Sequence, residues 1–234
     1  MRFGVGNAGS TGNAGRVRRG VSLAALATGL VTGLVTGCTA DREGPDAASG
    51  ASAKGSAKVA KRGGSVGAAG SACELPVAFD IAEFWKAKAV DGADASGAGG
   101  DLAELLDAFA HQGPVTLACE IDAKPAGKIG FLRVWTGAAG KADARTVLKE
   151  FVAAEPQASG AVYREVKAGD VTGVEVAYTT TSKLLEESKQ EHAFAVTTSE
   201  GPVVLHLGGL DTGEHDAMLP AYELAKSTLR TTAA

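Results

Sequence analysis

Residues that do covalent chemistry are scarce in this chain and badly spaced for it. There is no HExxH, no CxxC and no pair of histidines at helical separation, so no zinc site of familiar spacing is written in it. No SxxK serine/lysine arrangement appears either. Aromatic residues make up only 5% of the sequence, and Trp85 and Trp135 are its two tryptophans. Gly4-Val5-Gly6-Asn7-Ala8-Gly9 fits the spacing GxGxxG, but no strand can precede it, so it lacks the context that lets glycines cradle a dinucleotide. These absences predict a protein with no catalytic site, no metal site and no cofactor.

Charge is present, and it is unevenly placed. Residues 1–37 hold four arginines and no acid, a net charge of +4. Residues 38–72 hold five basic and three acidic groups in a matrix of Ala, Gly and Ser, a net of +2. Residues 73–234 hold 14 basic and 24 acidic groups, a net of −10, and these three parts sum to the −4 of the whole chain. So acidic a domain argues against nucleic acid, or an anionic lipid face, as its main partner.

The first part has the layout of a removable leader. Arg16, Arg18 and Arg19 precede an apolar run from Val21 to Gly37, which at 17 residues is short for a spanning helix. The run closes on Val35-Thr36-Gly37-Cys38, where small residues precede a cysteine. This arrangement resembles a bacterial lipoprotein signal, and Arg18-Arg19 loosely resembles a twin-arginine signal. The lipoprotein resemblance implies diacylglycerol on the Cys38 thiol, cleavage before it, and attachment to the extracytoplasmic face of the cell membrane. Residues 38–72 then read as a flexible tether, because their composition buries too little apolar surface to offset chain entropy.

The remaining 162 residues suffice for one domain with its own core. With Cys38 assigned to lipid, Cys73 and Cys119 are an even pair in a compartment where disulfides persist. Cys73, Leu75, Val77 and Phe79 alternate along one segment, and Val115, Leu117, Cys119 and Ile121 along another. Both thiols therefore fall on apolar sides, and a Cys73–Cys119 bridge is expected.

Periodicity predicts the other elements. A helix is expected from Asp101, with Leu102, Leu105, Leu106 and Phe109 as its stripe, after a mobile loop at residues 91–100. Strands 115–122 and 128–136 flank a Lys-Pro-Ala-Gly turn, and the second is apolar on both faces, as in the centre of a covered sheet. A helix follows over about 143–154. Strands 161–167 and 171–180 form one hairpin and strands 192–198 and 202–207 another, with 183–190 a loop running into a strand. A last helix spans about 216–229, with Pro220 in its first turn or kinking it. This order predicts an α+β fold, a central antiparallel sheet of about six or seven strands flanked by helices.

Two strings carry a family resemblance: Val203-Val204-Leu205-His206-Leu207 before a helix ending Ala225-Lys226-Ser227-Thr228-Leu229-Arg230, and Phe79-Asp80-Ile81-Ala82-Glu83-Phe84-Trp85 near the domain's start. Over about residues 74–232 the chain resembles actinobacterial lipoproteins of the LpqN type, in the Mog1/PsbP-like group. The resemblance implies a central antiparallel sheet between helices and an accessory or binding role, with no catalytic motif to transfer.

Trp85, Arg133 and Trp135 are the candidate ligand-binding residues, Trp135 ending the central strand beside Arg133. Core packing is the competing explanation for both tryptophans. Asp211, Glu214, His215 and Asp216 crowd the start of the last helix, where capping and the helix dipole explain acids; a divalent-metal site with His206 is the alternative. Glu120 and Asp122 share an outward strand face. The sequence thus predicts a non-enzymatic lipid-anchored protein that binds an envelope protein or small ligand. Its competitors are a lipid- or small-molecule-binding module and an envelope hydrolase with an unfamiliar site. Mass spectrometry of the mature protein is expected to show diacylglycerol on Cys38. An unmodified N-terminus, or a Cys38→Ser chain that still partitions with lipid, defeats the anchor.

Overall fold

The computed structural model describes residues 58–90, 109–183 and 186–232. Cys38, the leader, the 91–100 loop and almost all of the helix expected from Asp101 lie outside the described residues. Eleven strands and two helices are described: β1 (Arg62–Val66), β2 (Val77–Ala82), β3 (Lys86–Ala89), β4 (His111–Gln112), β5 (Val115–Asp122), β6 (Gly130–Thr136), α1 (Ala144–Ala153), β7 (Ala158–Ala168), β8 (Val171–Ser182), β9 (Glu187–Thr198), β10 (Gly201–Gly209), α2 (Thr212–Ser227) and β11 (Arg230–Thr231). The main sheet runs β3-β5-β6-β10-β9-β8-β7, with β4 also on β5, and every pairing in it is antiparallel. A small sheet runs β1-β2-β11. The fold is α+β.

Alternation along the central strands sorts side chains into two layers. Leu132 and Val134 of β6 and Leu205 and Leu207 of β10 meet Met218, Tyr222 and Ala225 of α2 together with Val77 and Phe79 of β2. Trp135, Val204, Val176 and Ala195 point the other way, onto Val147, Leu148, Phe151 and Val152 of α1. The apolar character of β6 on both faces follows from this double cover.

Both helices start where a carboxylate can satisfy free backbone N–H groups. Asp143 accepts from Thr146 N at 2.8 Å, and Asp211 accepts from Glu214 N at 2.8 Å. α2 therefore begins four residues before the expected Asp216. Pro220 sits well inside it, beyond the first turn; its own carbonyl accepts from Ala60 N at 2.8 Å. Pro220 lacks the N–H that would bond the turn before it. The loop expected to run into a strand after Ser182 does so, since β9 starts at Glu187 and pairs with β8 as far as Ser182.

The tether is shorter than its composition suggests. Residues 58–72 were expected within it, yet β1 pairs with β2 from Arg62↔Ala82 to Val66↔Phe79. Glycine here serves close packing: a Cβ on Gly63 would lie 2.5 Å from Glu83 Cα, and Gly67 adopts φ +100°.

Cys73 and Cys119 form a disulfide with Cα atoms 6.0 Å apart. Cys119 belongs to β5, but Cys73 and Leu75 precede β2 in an irregular segment that is nonetheless buried. The bridge pins the segment leading into the small sheet onto the main sheet across a separation of 46 residues. A Cys73→Ala/Cys119→Ala chain is expected to lose roughly 3–4 kcal/mol of unfolding free energy relative to the oxidised protein, as measured by denaturant titration. Unchanged stability would show that the bridge constrains nothing.

Candidate functional site

The face of the main sheet that carries α1 is only partly covered by it. Beyond the helix a cleft of about 860 Å³ remains, floored by β5, β6, β10 and β9. Register decides what it contains. Arg133 lies opposite Glu120 on one side and His206 on the other, and Gly208 lies opposite Phe131. Arg133 Nε donates to Glu120 Oε1 at 2.8 Å, and its guanidinium stacks 4.8 Å from the centre of the Phe131 ring.

At the other side of the floor lies Glu191, 3% exposed. Lys189 Nζ contacts its Oε1 at 2.8 Å and also donates to the Gly209 carbonyl at 3.1 Å. His206 Nε2 is 3.1 Å from its Oε2. Burial alone would raise the carboxyl, but His206 and Lys189 outweigh it and hold Glu191 below the usual carboxylate range. A carboxylate only accepts, so Nε2 is the ring nitrogen that carries the shared proton. The Tyr178 hydroxyl is 3.2 Å from the same Nε2, and burial followed by the Glu191 charge raises its pKa, which keeps it a phenol. Phe151 packs edge-on against the imidazole at 5.4 Å. Gly208 leaves the floor beside this cluster bare, since a Cβ there would sit 3.3 Å from Glu191 Oε2. On the rim, Phe109, Ile129 and Leu210 expose 70%, 55% and 62% of their surface.

This arrangement offers two cations, each beside a carboxylate, on a floor bordered by apolar groups. Its described lining has no serine, threonine or cysteine to act as a nucleophile. Such a site is equipped to bind through hydrogen bonds and charge.

The sequence candidates are not gathered into one rim. Arg133 faces the cleft. Trp135 borders it but is 4% exposed and packs edge-on against Phe151 at 5.6 Å. Trp85 belongs to the apolar layer on the opposite side of the sheet. Glu120 lines the cleft, whereas Asp122 caps the following turn by accepting from Lys124 N. The metal alternative needed His206 and His215 together, and the sheet lies between them. No group of three or more His, Cys, Asp or Glu positioned for a metal ion occurs among the described residues. Lys189, Glu191 and Tyr178 were not anticipated. Lys189 and Glu191 share a strand face at i, i+2, but the partners that give them meaning come from β8 and β10.

With this geometry in view, the comparison with known proteins is informative about one point. A family of uncharacterised lipoproteins has a sequence profile matching residues 43–229. The chain belongs to this lipoprotein family. It is also similar to the solution structure of cyanobacterial PsbP (CyanoP) from Synechocystis sp. PCC 6803, at 12% identity over 72% of this chain and 98% of that one, with a TM-score of 0.45. No curated protein matches the sequence. Membership of a lipoprotein family implies membrane anchoring.

On the other side of the sheet from the cleft, this lipoprotein holds a histidine pair, His215 buried and His192 half-buried. His192 Nδ1 of β9 lies 2.8 Å from His215 Nε2 of α2, the rings stacked 5.0 Å apart. Gly209 permits the approach, because a Cβ on it would lie 2.8 Å from His215 N. Burial, then the neighbouring His192, pushes His215 down to about 4; burial also lowers His192. With the folded values depressed, the unfolded chain binds more protons, so stability rises with pH through this window. The stabilisation is complete above the ordinary histidine pKa of about 6.5 and is lost on acidification toward about 4. Denaturant titrations are expected to show a steady loss over that range. A profile flat between those limits refutes the neutral pair.

Proposed function

We propose that this protein is a non-enzymatic binding or accessory factor of the cell envelope, attached through acylated Cys38 to the extracytoplasmic face of the membrane, with the cleft beside α1 as its ligand seat. The observation that carries the reading is the buried, ionised Glu191 held between Lys189 and His206 at the floor of an open cleft. An ion removed from water is costly, and the cluster compensates that cost while leaving polar groups turned to the opening. Around it, Arg133, Glu120 and Phe131 supply charge and a stacking face, and the exposed Ile129 and Leu210 supply apolar contact. A ligand suited to this lining carries polar groups flanked by apolar surface, as an envelope protein segment or a small amphipathic molecule does.

The strings that resemble LpqN-type lipoproteins accord with an accessory role. The hydrolase alternative is weakened by a described lining without a nucleophilic hydroxyl or thiol. A lipid-binding module with a dry apolar groove fits poorly with a floor of Glu120, Arg133, Lys189 and Glu191.

Photo-crosslinking in intact cells tests the reading. A photoreactive residue at Leu210 or Ile129 is expected to give a discrete adduct, while the same residue at exposed Val162 on β7 does not. The double substitution Arg133→Glu/Lys189→Glu is expected to reduce the Leu210 adduct by about tenfold, the loss of roughly one well-placed charge contact. Equal adducts from Val162, or an adduct indifferent to the charge reversals, refutes the cleft as the seat.

A further inference from the structure

The corner at which the chain from Cys38 enters the domain has features the cleft does not explain. Phe84 lies in the turn between β2 and β3, which is closed by Trp85 N donating to the Ala82 carbonyl at 3.2 Å. Its φ is +68°, at the turn position where glycine or asparagine is relaxed and a bulky side chain is strained. The ring is 64% exposed, so burial within the fold does not offset that strain. Its neighbour Trp85 is 7% exposed and holds the turn in place from beneath.

Around Phe84 the surface is apolar at its base and basic at its edge. A shallow depression of about 180 Å³ beside the ring has Ala60, Ala126, Ala217 and Pro220 in its lining, with Lys61 and Lys128 among the residues that border it. Lys124 belongs to the turn that carries Ala126, Lys86 follows Trp85, and Lys58 and the half-exposed Val59 lie on the incoming chain. Four acids stand against these five lysines: Glu83 pairs with Lys61 at 2.6 Å in an exposed contact of little weight, Asp122 caps the Lys124 turn, Glu214 accepts from Ile129 N at 3.0 Å beside Lys128, and Asp216 precedes Ala217 on α2. In a domain with a net charge of −10, this corner reverses the sign.

We propose that the Phe84 corner is a membrane-docking surface, with Phe84 and Val59 entering the headgroup layer and Lys58, Lys61, Lys86, Lys124 and Lys128 facing anionic headgroups. The inference rests on the reading of Cys38 as the anchor, since that reading brings a lipid surface to the end of the chain that enters here. Two features fix the occupant as lipid. The charge is complementary to an anionic leaflet, and an exposed aromatic ringed by lysines is the composition of interfacial segments. Docking there fixes the orientation of the domain on the membrane.

Hydrogen exchange on the full lipidated chain reports this directly. The chain is reconstituted in vesicles of equal phosphatidylglycerol and phosphatidylcholine, or of phosphatidylcholine alone. Residues 83–85 and 124–128 are expected to exchange about fivefold more slowly on the anionic vesicles, the effect of roughly one lysine contact. Phe84→Asn is expected to abolish this difference without lowering stability, because asparagine tolerates the positive φ. Lys61→Glu/Lys128→Glu is expected to abolish it as well. Equal exchange on both vesicles, or protection that survives either variant, overturns the proposal. The intact mass of the same sample separates the two readings: protection without an acyl group on Cys38 sinks the anchor alone, and an acyl group without protection sinks the docking surface alone.

Discussion

The register between β6 and β10 is the constraint on which everything else depends. Arg133 lies opposite His206 and Trp135 opposite Val204, while Leu132 and Val134 lie opposite Leu207 and Leu205. Because side chains alternate with a period of two, one set supplies the apolar layer under α2 and the other supplies the cleft and the seat of α1. A slip of one residue would press Arg133 against Tyr222 and turn Leu132 to solvent. Glycine guards the arrangement at the strand ends. A Cβ on Gly130 would lie 2.3 Å from Met218 Cε and 2.4 Å from the Gly208 carbonyl, and Gly209 must admit His215.

Two buried carboxylates, one on each face, lock the outer half of the sheet to its surroundings. Glu175 of β8, 1% exposed, is bonded by Lys226 of α2 and by Arg164 Nε of β7 at 2.7 Å. Burial would raise its pKa, yet the two cations lower it. Lys226 is itself seated over the Tyr222 ring at 4.8 Å. Glu191 on the opposite face draws its partners, Lys189 and His206, from its own strand and from β10. The difference bears on role. Glu175 ties a helix and two strands together and is closed off, whereas Glu191 organises groups that border an opening. Well-packed apolar residues could replace the first with little loss. They could not reproduce the hydrogen-bonding face of the second.

Much of this was legible because it is local. Alternation alone placed Cys119 and Ile121 on one face, and apolar groups on both faces at Ile129, Phe131, Leu132 and Val134 marked β6 as central. The apolar stripe of the helix expected over about 143–154 matches α1 (Ala144–Ala153). The misjudged portions depend on partners distant in sequence. Arg-Gly-Gly-Ser-Val has no periodicity, and it becomes β1 only because β2 offers a strand that glycine can approach closely. Trp85 and Trp135 look equivalent as isolated aromatics, yet the sheet separates them, a fact of topology that strand content does not reveal. Lys189 and Glu191 sit in a segment whose Leu-Leu-Glu-Glu-Ser-Lys-Gln run imitates a helical turn. Only pairing with β8 and β10 turns it into a strand with a charged face.

Net charge misleads about surfaces for the same reason. A domain total of −10 describes the far field, but in physiological salt a charge is felt over about 8 Å, so an approaching surface senses the nearest few groups. At the Phe84 corner those groups are lysines supplied by three separate segments: the incoming chain, the β2–β3 turn and the β5–β6 turn. The incoming chain carries Lys58, Lys61 and Arg62, and the two turns add Lys86, Lys124 and Lys128. The fold collects them by pairing β1 with β2 and β3 with β5, and acids at the corner are engaged, Glu83 with Lys61 and Asp122 as a cap. The strained turn supports the same conclusion from a different direction. A glycine at position 84 would relax the backbone, and a phenylalanine that is strained there and exposed to water fits a contact outside the domain.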